Sequence, residues 1–232
     1  QSRQLLEDVG CDFDLGGGAF PFMSMREGSV AGISARVSRI SFSGELAFEI
    51  SVNANYGLAL WETVMEAGQR FDITPYGTEA MHVLRAEKGY VIVGQDTDGS
   101  VTPLDLGMQW IVSETKDFIG KRSLARSDTA RDNRKQLVGL LTKDSAQVLP
   151  EGAQLVNAPS ESRPVPMIGH VSSSYFSANL KRSIALALVK GGVSRMGGTV
   201  YAQLMDGAIV PAVITSPVFL DPENERQRQE AV

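Results

Sequence analysis

The sequence predicts an α+β fold followed by an all-β region. Apolar residues at helical spacing alternate with strand-like runs in the first half, and helical periodicity disappears beyond residue 133. The 232 residues, 43% of them hydrophobic, can bury a sizeable core in one or two domains. The polar segment 127–133 is typical of a linker. We therefore predict domains at 1–126 and 134–222, and a frayed polar tail at 223–232.

Apolar spacing and cap residues define the elements of the first half. Helices are predicted at residues 2–9, 56–70, 78–88 and 118–125. Strands are predicted on both sides of a turn at 42–45, and a strand followed by a polar turn is predicted at 90–103. The apolar stripe of the second helix comprises Leu60, Trp61, Val64 and Met65. In the third helix, which stops at Gly89, we expect Ala80 to face inward and Arg85 and Lys88 to be solvated. For Arg85 and Glu87 we expect a surface or intersubunit ion pair rather than a place in a site.

The second half consists of short strand-like runs separated by frequent turns. These runs lie at residues 137–141, 154–156, 167–171, 183–189, 199–204 and 209–215. A turn at 205–208 joins the last two runs into a hairpin. Several short strands with regular turns favour a small β-barrel or a sandwich.

Composition excludes some classes of function. The net charge of −5 argues against a nucleic-acid-binding surface, which needs a basic face. The longest apolar run, residues 184–189, is too short to span a bilayer. The one cysteine, Cys11, cannot form an internal disulfide and favours a reducing, cytoplasmic setting. Because Gln1 is not a natural start residue, we expect further sequence before it.

Several polar patterns favour ordinary structural roles over metal or cofactor sites. His82 and His170 have no second histidine or cysteine at ligand spacing, so no metal site is expected. Asp96, Asp98 and Gly99 resemble the start of a calcium loop without its closing glutamate, and a hydrogen-bonded turn is the better interpretation. No glycine-rich segment lies between a predicted strand and a helix, so no dinucleotide site is predicted in this chain.

Glu49 is a single carboxylate within an alternating apolar strand. One face of that strand carries Leu46, Phe48, Ile50 and Val52. Glu49 projects from the other face between the small residues Ala47 and Ser51. It is either an exposed glutamate, free or paired with Arg36 or Arg39, or a carboxylate that binds a flat heterocycle with two adjacent N–H donors. Two such charge-assisted bonds would contribute roughly 1.5–3 kcal/mol each.

Three segments resemble the glycine-cleavage T-protein (aminomethyltransferase) family: GELAFEI, YGTEAMHVLRAEKGY and VGQDTDGSVTP. Their sequences are most similar to those of one branch of the family, the alpha subunits of heterotetrameric sarcosine oxidase. The resemblance extends over residues 2–222. It implies a folate-binding region whose N-terminal part is missing here, followed by an antiparallel β-barrel.

The resemblance also implies a tetrahydrofolate site that contains Glu49 and Phe42. In the family the matching glutamate contacts the folate head group. Phe42 and Ser43 stand where the family usually has tyrosine and threonine, so a tyrosine hydroxyl contact is absent. Met81 occupies the place of a family arginine that helps to hold folate, so this pocket must bind folate differently or more weakly.

As a function, the resemblance implies transfer of the one-carbon unit of oxidised sarcosine to tetrahydrofolate, which gives 5,10-methylenetetrahydrofolate. The family's acid–base aspartate would precede Ser2, so the catalytic residue is unknown in this chain. FAD and NAD would bind upstream in the alpha subunit and FMN at its interface with the beta subunit. The implied partners are the beta, gamma and delta subunits and the preceding part of the alpha subunit. The alternative is a non-catalytic T-protein-like module for folate binding or assembly.

Overall fold

The protein is described here by a computed structural model that covers residues 1–160 and 164–228. The chain divides into two compact units, Gln1–Met81 with Asp221–Val232, and His82–Leu220. The boundary between the units falls inside one helix, α3 (Thr78–Glu87). The last residues of the predicted tail, 229–232, lie outside the described part.

The first unit combines two helices with a three-stranded antiparallel sheet. These elements are α1 (Ser2–Asp8), β1 (Met25–Val30), β2 (Ile33–Ser38), β3 (Glu49–Val52) and α2 (Gly57–Gly68). Their core contains Leu6, Phe20, Val30, Val37 and Leu60, all of them buried. The predicted helices at the start of the chain and at 56–70 are confirmed, because their apolar residues line this core.

Strand β1 was not predicted from the sequence. It pairs with β2 through a two-residue turn at Ala31 and Gly32, whose φ angles of 54° and 74° are both positive. Hairpin turns of this kind match the twist of the flanking strands. A further difference concerns Trp61, which is 55% exposed although Leu60 beside it is buried. The buried stripe of α2 is therefore narrower than the predicted one.

The third helix follows its prediction in extent but not in its buried face. It ends before Gly89, whose φ of 67° stops the helix as expected. Arg85 and Lys88 are 0% and 3% exposed, so the prediction that both are solvated is wrong. Ala80, predicted to face inward, is exposed.

The segment after Gly89 is not the predicted strand. It contains one isolated β-bridge, between Val93 and Thr97. The amide of Ile92 donates to the Asp96 carboxylate, and the amide of Asp96 donates to the Ile92 carbonyl. These local bonds use the polar groups that a strand would share with a neighbour. Further on, the predicted helix at 118–125 is reduced to one 3-10 segment, Lys121–Ala125.

The second unit contains a closed six-stranded antiparallel barrel. Its strands are β4 (Lys135–Thr142), β5 (Gln154–Val156), β6 (Met167–Ser177), β7 (Arg182–Lys190), β8 (Thr199–Gln203) and β9 (Ile209–Thr215). They follow the order β4-β7-β6-β5-β8-β9, and β9 pairs with β4 to close the ring. All six predicted strands and the final hairpin are confirmed. Because β9 pairs with β4 and the sheet closes on itself, the second half of the chain forms the predicted barrel and not the alternative sandwich.

The predicted linker and tail both contain ordered contacts. Asp128 in the predicted linker at 127–133 pairs with Arg134 at 3.2 Å, and Arg134 also donates to the Asp105 carboxylate at 2.8–3.0 Å. In the tail, a short helix, α4 (Glu225–Arg228), forms where fraying was expected. No helix in the described part of the chain has the length and hydrophobicity of a membrane-crossing segment.

Candidate functional site

The outer face of β3 carries the predicted site residue Glu49. In the antiparallel register Glu49 lies opposite Ser38, and Ile50 lies opposite Val37, which is fully buried. Ile50 packs against the core of the first unit together with Phe48 and Val52, two of the three other residues of the predicted apolar face. Alternation along the strand therefore directs Glu49 away from that core.

The Glu49 carboxylate is exposed, and it forms no hydrogen bond or ion pair with any residue in 1–160 or 164–228. Arg36, one suggested partner, instead pairs with Glu27 across the β1–β2 ladder at 3.0 Å. Arg39, the other, donates to the backbone carbonyls of Phe20 at 2.6 Å and Gln227 at 3.2 Å. The ion-paired interpretation of Glu49 is therefore not what the structure shows. Both carboxylate oxygens can accept bonds from a ligand.

Phe42 lies in the loop that leads into β3, and its side chain is 37% exposed. The loop is held by the Gly44 amide, which donates to the Ser41 hydroxyl at 2.9 Å. An ion pair of 2.8 Å between Glu45 and Arg226 also fixes this loop. An accessible aromatic face and a free carboxylate within one short segment suit a flat, polar ring.

Arg85, considered from the sequence as a site or surface residue, belongs to a buried network in the second unit. Its guanidinium donates to the Asp96 carboxylate at 2.6 Å, the Tyr90 carbonyl at 3.0 Å and the Ser173 hydroxyl at 2.6 Å. Asp96 also accepts bonds from the hydroxyls of Ser172 and Ser173. Because Arg85 and Asp96 are both fully buried, the surface or intersubunit ion pair expected for Arg85 is wrong.

Glu87, the second charged residue of this helix, is also buried, with 1% exposure. Its carboxylate accepts bonds from Ser177 at 2.5 Å and from Asn179 at 2.8 Å. Its backbone carbonyl accepts bonds from the amides of Phe219 and Leu220. The role of Glu87 is thus to join α3 to the barrel strand β6 and to the segment that follows β9. The sequence carries no local signal for the contacts with Ser177 and Asn179, which lie about 90 positions further along the chain.

Cys11, the one cysteine of the sequence, does not have the properties of a nucleophile. Burial raises the pKa of the Cys11 thiol, and the charges of Asp12 and Glu7 raise it further. A thiol with a raised pKa is a poor nucleophile. In the part of the chain that the structure describes, no group of three or more His, Cys, Asp or Glu side chains could hold a metal ion.

Comparison with known proteins decides the family. Residues 1–116 match the family model of the GCVT N-terminal domain. Residues 135–221 match the glycine cleavage T-protein C-terminal barrel domain, which covers the barrel described above. The chain belongs to the glycine cleavage T-protein family.

Within the T-protein family, this chain is similar to several longer proteins. It is 50% identical over 230 residues to the sarcosine oxidase subunit alpha of Corynebacterium sp. (strain U-96), covering 98% of this chain and 24% of that protein. It is 31% identical over 198 residues to an aminomethyltransferase of Thermotoga petrophila, covering 85% of this chain and 52% of that protein. Human mitochondrial dimethylglycine dehydrogenase is 31% identical over 230 residues. The chain thus spans about a quarter of the alpha subunit that it matches.

The T-protein fold is also found in a solved structure. The crystal structure of glycine cleavage system aminomethyltransferase T from Bartonella henselae matches with a TM-score of 0.78 at 24% sequence identity. The match covers 96% of this chain and 58% of that one. The predicted fold, an α+β T-protein-like region followed by an antiparallel barrel, is therefore confirmed.

Proposed function

We propose that this chain is the tetrahydrofolate-binding portion of a sarcosine oxidase alpha subunit. In this role it would help to transfer the one-carbon unit of oxidised sarcosine to tetrahydrofolate, which yields 5,10-methylenetetrahydrofolate. The observation that carries the proposal is the exposed carboxylate of Glu49, which has no partner among the described residues. The identity of 50% to a sarcosine oxidase subunit alpha supports the choice of sarcosine over dimethylglycine, whose dehydrogenase is 31% identical.

The residues around Glu49 fit a pterin ring. The carboxylate can accept hydrogen bonds from the 2-amino group and the adjacent ring N–H, and a ring without that donor pair would leave the carboxylate unsatisfied. Ala47 and Ser51 are small, so they leave room beside the carboxylate. The exposed face of Phe42 offers a stacking surface. Met81 stands where the family has an arginine, so Glu49 and Phe42 supply a larger share of the binding.

Tetrahydrofolate, when bound, supplies the nitrogens that take up the one-carbon unit. The chain's own contribution is to bind and orient the head group. FAD and NAD would be held by the preceding part of the alpha subunit and FMN at its contact with the beta subunit, and the flavins would oxidise the amine. The gamma and delta subunits complete the proposed assembly.

The test is a Glu49→Gln substitution in the assembled enzyme. Glutamine keeps the shape of the side chain but replaces one acceptor oxygen with a donor, which would face the donors of the pterin. We expect tetrahydrofolate binding to weaken by roughly 2–4 kcal/mol, about 30- to 1,000-fold, measured by titration calorimetry. Amine oxidation should continue, with formaldehyde released in place of methylenetetrahydrofolate.

A Glu66→Gln variant provides the matched control, because Glu66 is an exposed glutamate on α2 of the same unit. We expect it to leave folate affinity unchanged. If Glu49→Gln and Glu66→Gln bind tetrahydrofolate equally well, Glu49 does not belong to the site. The length of the parent reading frame is a second test. A short parent protein without a dinucleotide-binding domain would contradict the sarcosine oxidase assignment and favour a separate binding or assembly module.

A further inference from the structure

Two lysines lie directly opposite each other where β4 and β7 meet at the edge of the barrel. In the antiparallel register Lys135 pairs with Lys190. Like charges at such positions destabilise a strand pair, because the side chains project from the same face at close range. An anion bound between the two ammonium groups would remove this repulsion.

The same two lysines line a cavity of about 200 Å³. Arg131 and Arg134 add two guanidinium groups to its wall, Asn133 adds an amide, and Asp128 contributes the one carboxylate among the lining residues. Four cations therefore share the cavity with a single lining anion.

Both arginines of the cavity form ion pairs with aspartates, whereas the two lysines form none with the residues that the structure describes. Asp128 pairs with Arg131 at 2.6 Å and with Arg134 at 3.2 Å. Arg134 is also paired at 2.8 Å with Asp105, a buried residue that does not line the cavity. Neither Lys135 nor Lys190 forms an ion pair with a residue in the described ranges, 1–160 and 164–228. The carboxylate of Asp98 interacts electrostatically with Lys135, but Asp98 does not line the cavity, so the lining itself carries excess positive charge.

His170 extends this basic surface. On β6 it lies opposite Leu188, two residues before Lys190 on β7, so both side chains project from the same face of the barrel. The Lys135 ammonium is 3.4 Å from Nδ1 of His170. Burial lowers the pKa of His170, and the charge of Lys135 lowers it further, while Asp98 opposes the shift.

We propose that this cavity binds a phosphate group, either as inorganic phosphate or as the phosphoryl end of a phosphate monoester. Lys135 and Lys190 would hold the phosphate oxygens as point charges, and the Asn133 amide can donate a further hydrogen bond. The cavity volume equals that of about seven liquid water molecules, which is enough for one phosphate group and a few waters. It is smaller than the roughly 300–1,000 Å³ that sites for whole drug-sized ligands occupy.

The test is titration of the intact protein with inorganic phosphate at constant ionic strength, with chloride as the reference salt. The ring resonances of His170, assigned by their loss in a His170→Gln variant, report on binding by NMR. We expect a saturable shift and a higher pKa of His170 in phosphate than in chloride. Lys190→Gln should weaken phosphate binding about tenfold or more, because it removes one charge-assisted contact.

Lys116→Gln serves as the matched control, since Lys116 is exposed in the same unit and lies outside the cavity. It should leave phosphate affinity unchanged, whereas Lys135→Gln should weaken it as Lys190→Gln does. A non-saturable response, or equal losses in the Lys190 and Lys116 variants, would overturn the proposal, because it would show general screening by salt. Titration with glycerol phosphate and with a nucleoside monophosphate identifies the source of the phosphate group. Tighter binding of the nucleotide would indicate a nucleotide-derived ligand.

Discussion

Removal of the buried carboxylate at Asp96 is the sharpest test of the interior of the second unit. Asp96 is fully buried and accepts four hydrogen bonds. Their donors are the Arg85 guanidinium at 2.6 Å, the Ile92 amide at 2.8 Å, and the hydroxyls of Ser172 and Ser173 at 2.6 and 2.7 Å. In an Asp96→Asn variant the charge of Arg85 would remain buried without a counter-ion, and the new amide group would face donors.

The expected loss follows from this geometry. Breaking a buried ion pair by removal of one partner costs about 3–5 kcal/mol, because an uncompensated charge stays in the interior. For a protein of this size, that loss corresponds to a fall of about 6–20 °C in Tm. Urea unfolding followed by circular dichroism, together with calorimetry, would measure both quantities.

An Asp98→Asn variant is the control, since Asp98 is an exposed aspartate two positions away. It accepts bonds from the amide and hydroxyl of Ser100, so its replacement should cost less than about 1 kcal/mol. Equal losses in the Asp96 and Asp98 variants would refute the reasoning. The double variant Arg85→Met/Asp96→Asn should lose less stability than the sum of the two single variants, because it leaves no buried charge unpaired.

Two other features lead to predictions about stability. Burial alone would raise the pKa of Asp105, but the hydrogen bonds from Arg134 and Thr102 and the charge of Arg134 together outweigh it and hold that pKa below its ordinary value. The resulting stability is present above the unfolded-state pKa of about 3.9 and is lost as the pH falls below it, so unfolding of an Asp105→Asn variant should depend less on pH in this acidic range. Gly89→Ala should destabilise the protein by more than about 1 kcal/mol in urea unfolding, because φ is 67° and the added Cβ would lie 2.6 Å from the Pro217 carbonyl. Gly99→Ala, at an open position without positive φ, should change stability by much less, and a similar loss at both positions would contradict the steric argument.

The sequence by itself determined the elements whose signals are local. All six barrel strands were predicted because each is a short apolar or alternating run bounded by turn residues. The first three helices were predicted from apolar spacing, and Gly89 marked the end of the third. The side of β3 that carries Glu49 also followed from the sequence, since strand side chains alternate with a period of two.

Only the tertiary structure decided which polar side chains meet. The hydroxyls bonded to Arg85 and Glu87 lie 88 and 90 positions away in the chain, so helical periodicity could not show that these charges are buried. The strand predicted within 90–103 does not form, because the Asp96 carboxylate accepts a hydrogen bond from the backbone amide of Ile92 in the same loop. Glu49 was left free of ion pairs because the register of β1, a strand that the sequence did not reveal, brings Glu27 to Arg36 instead.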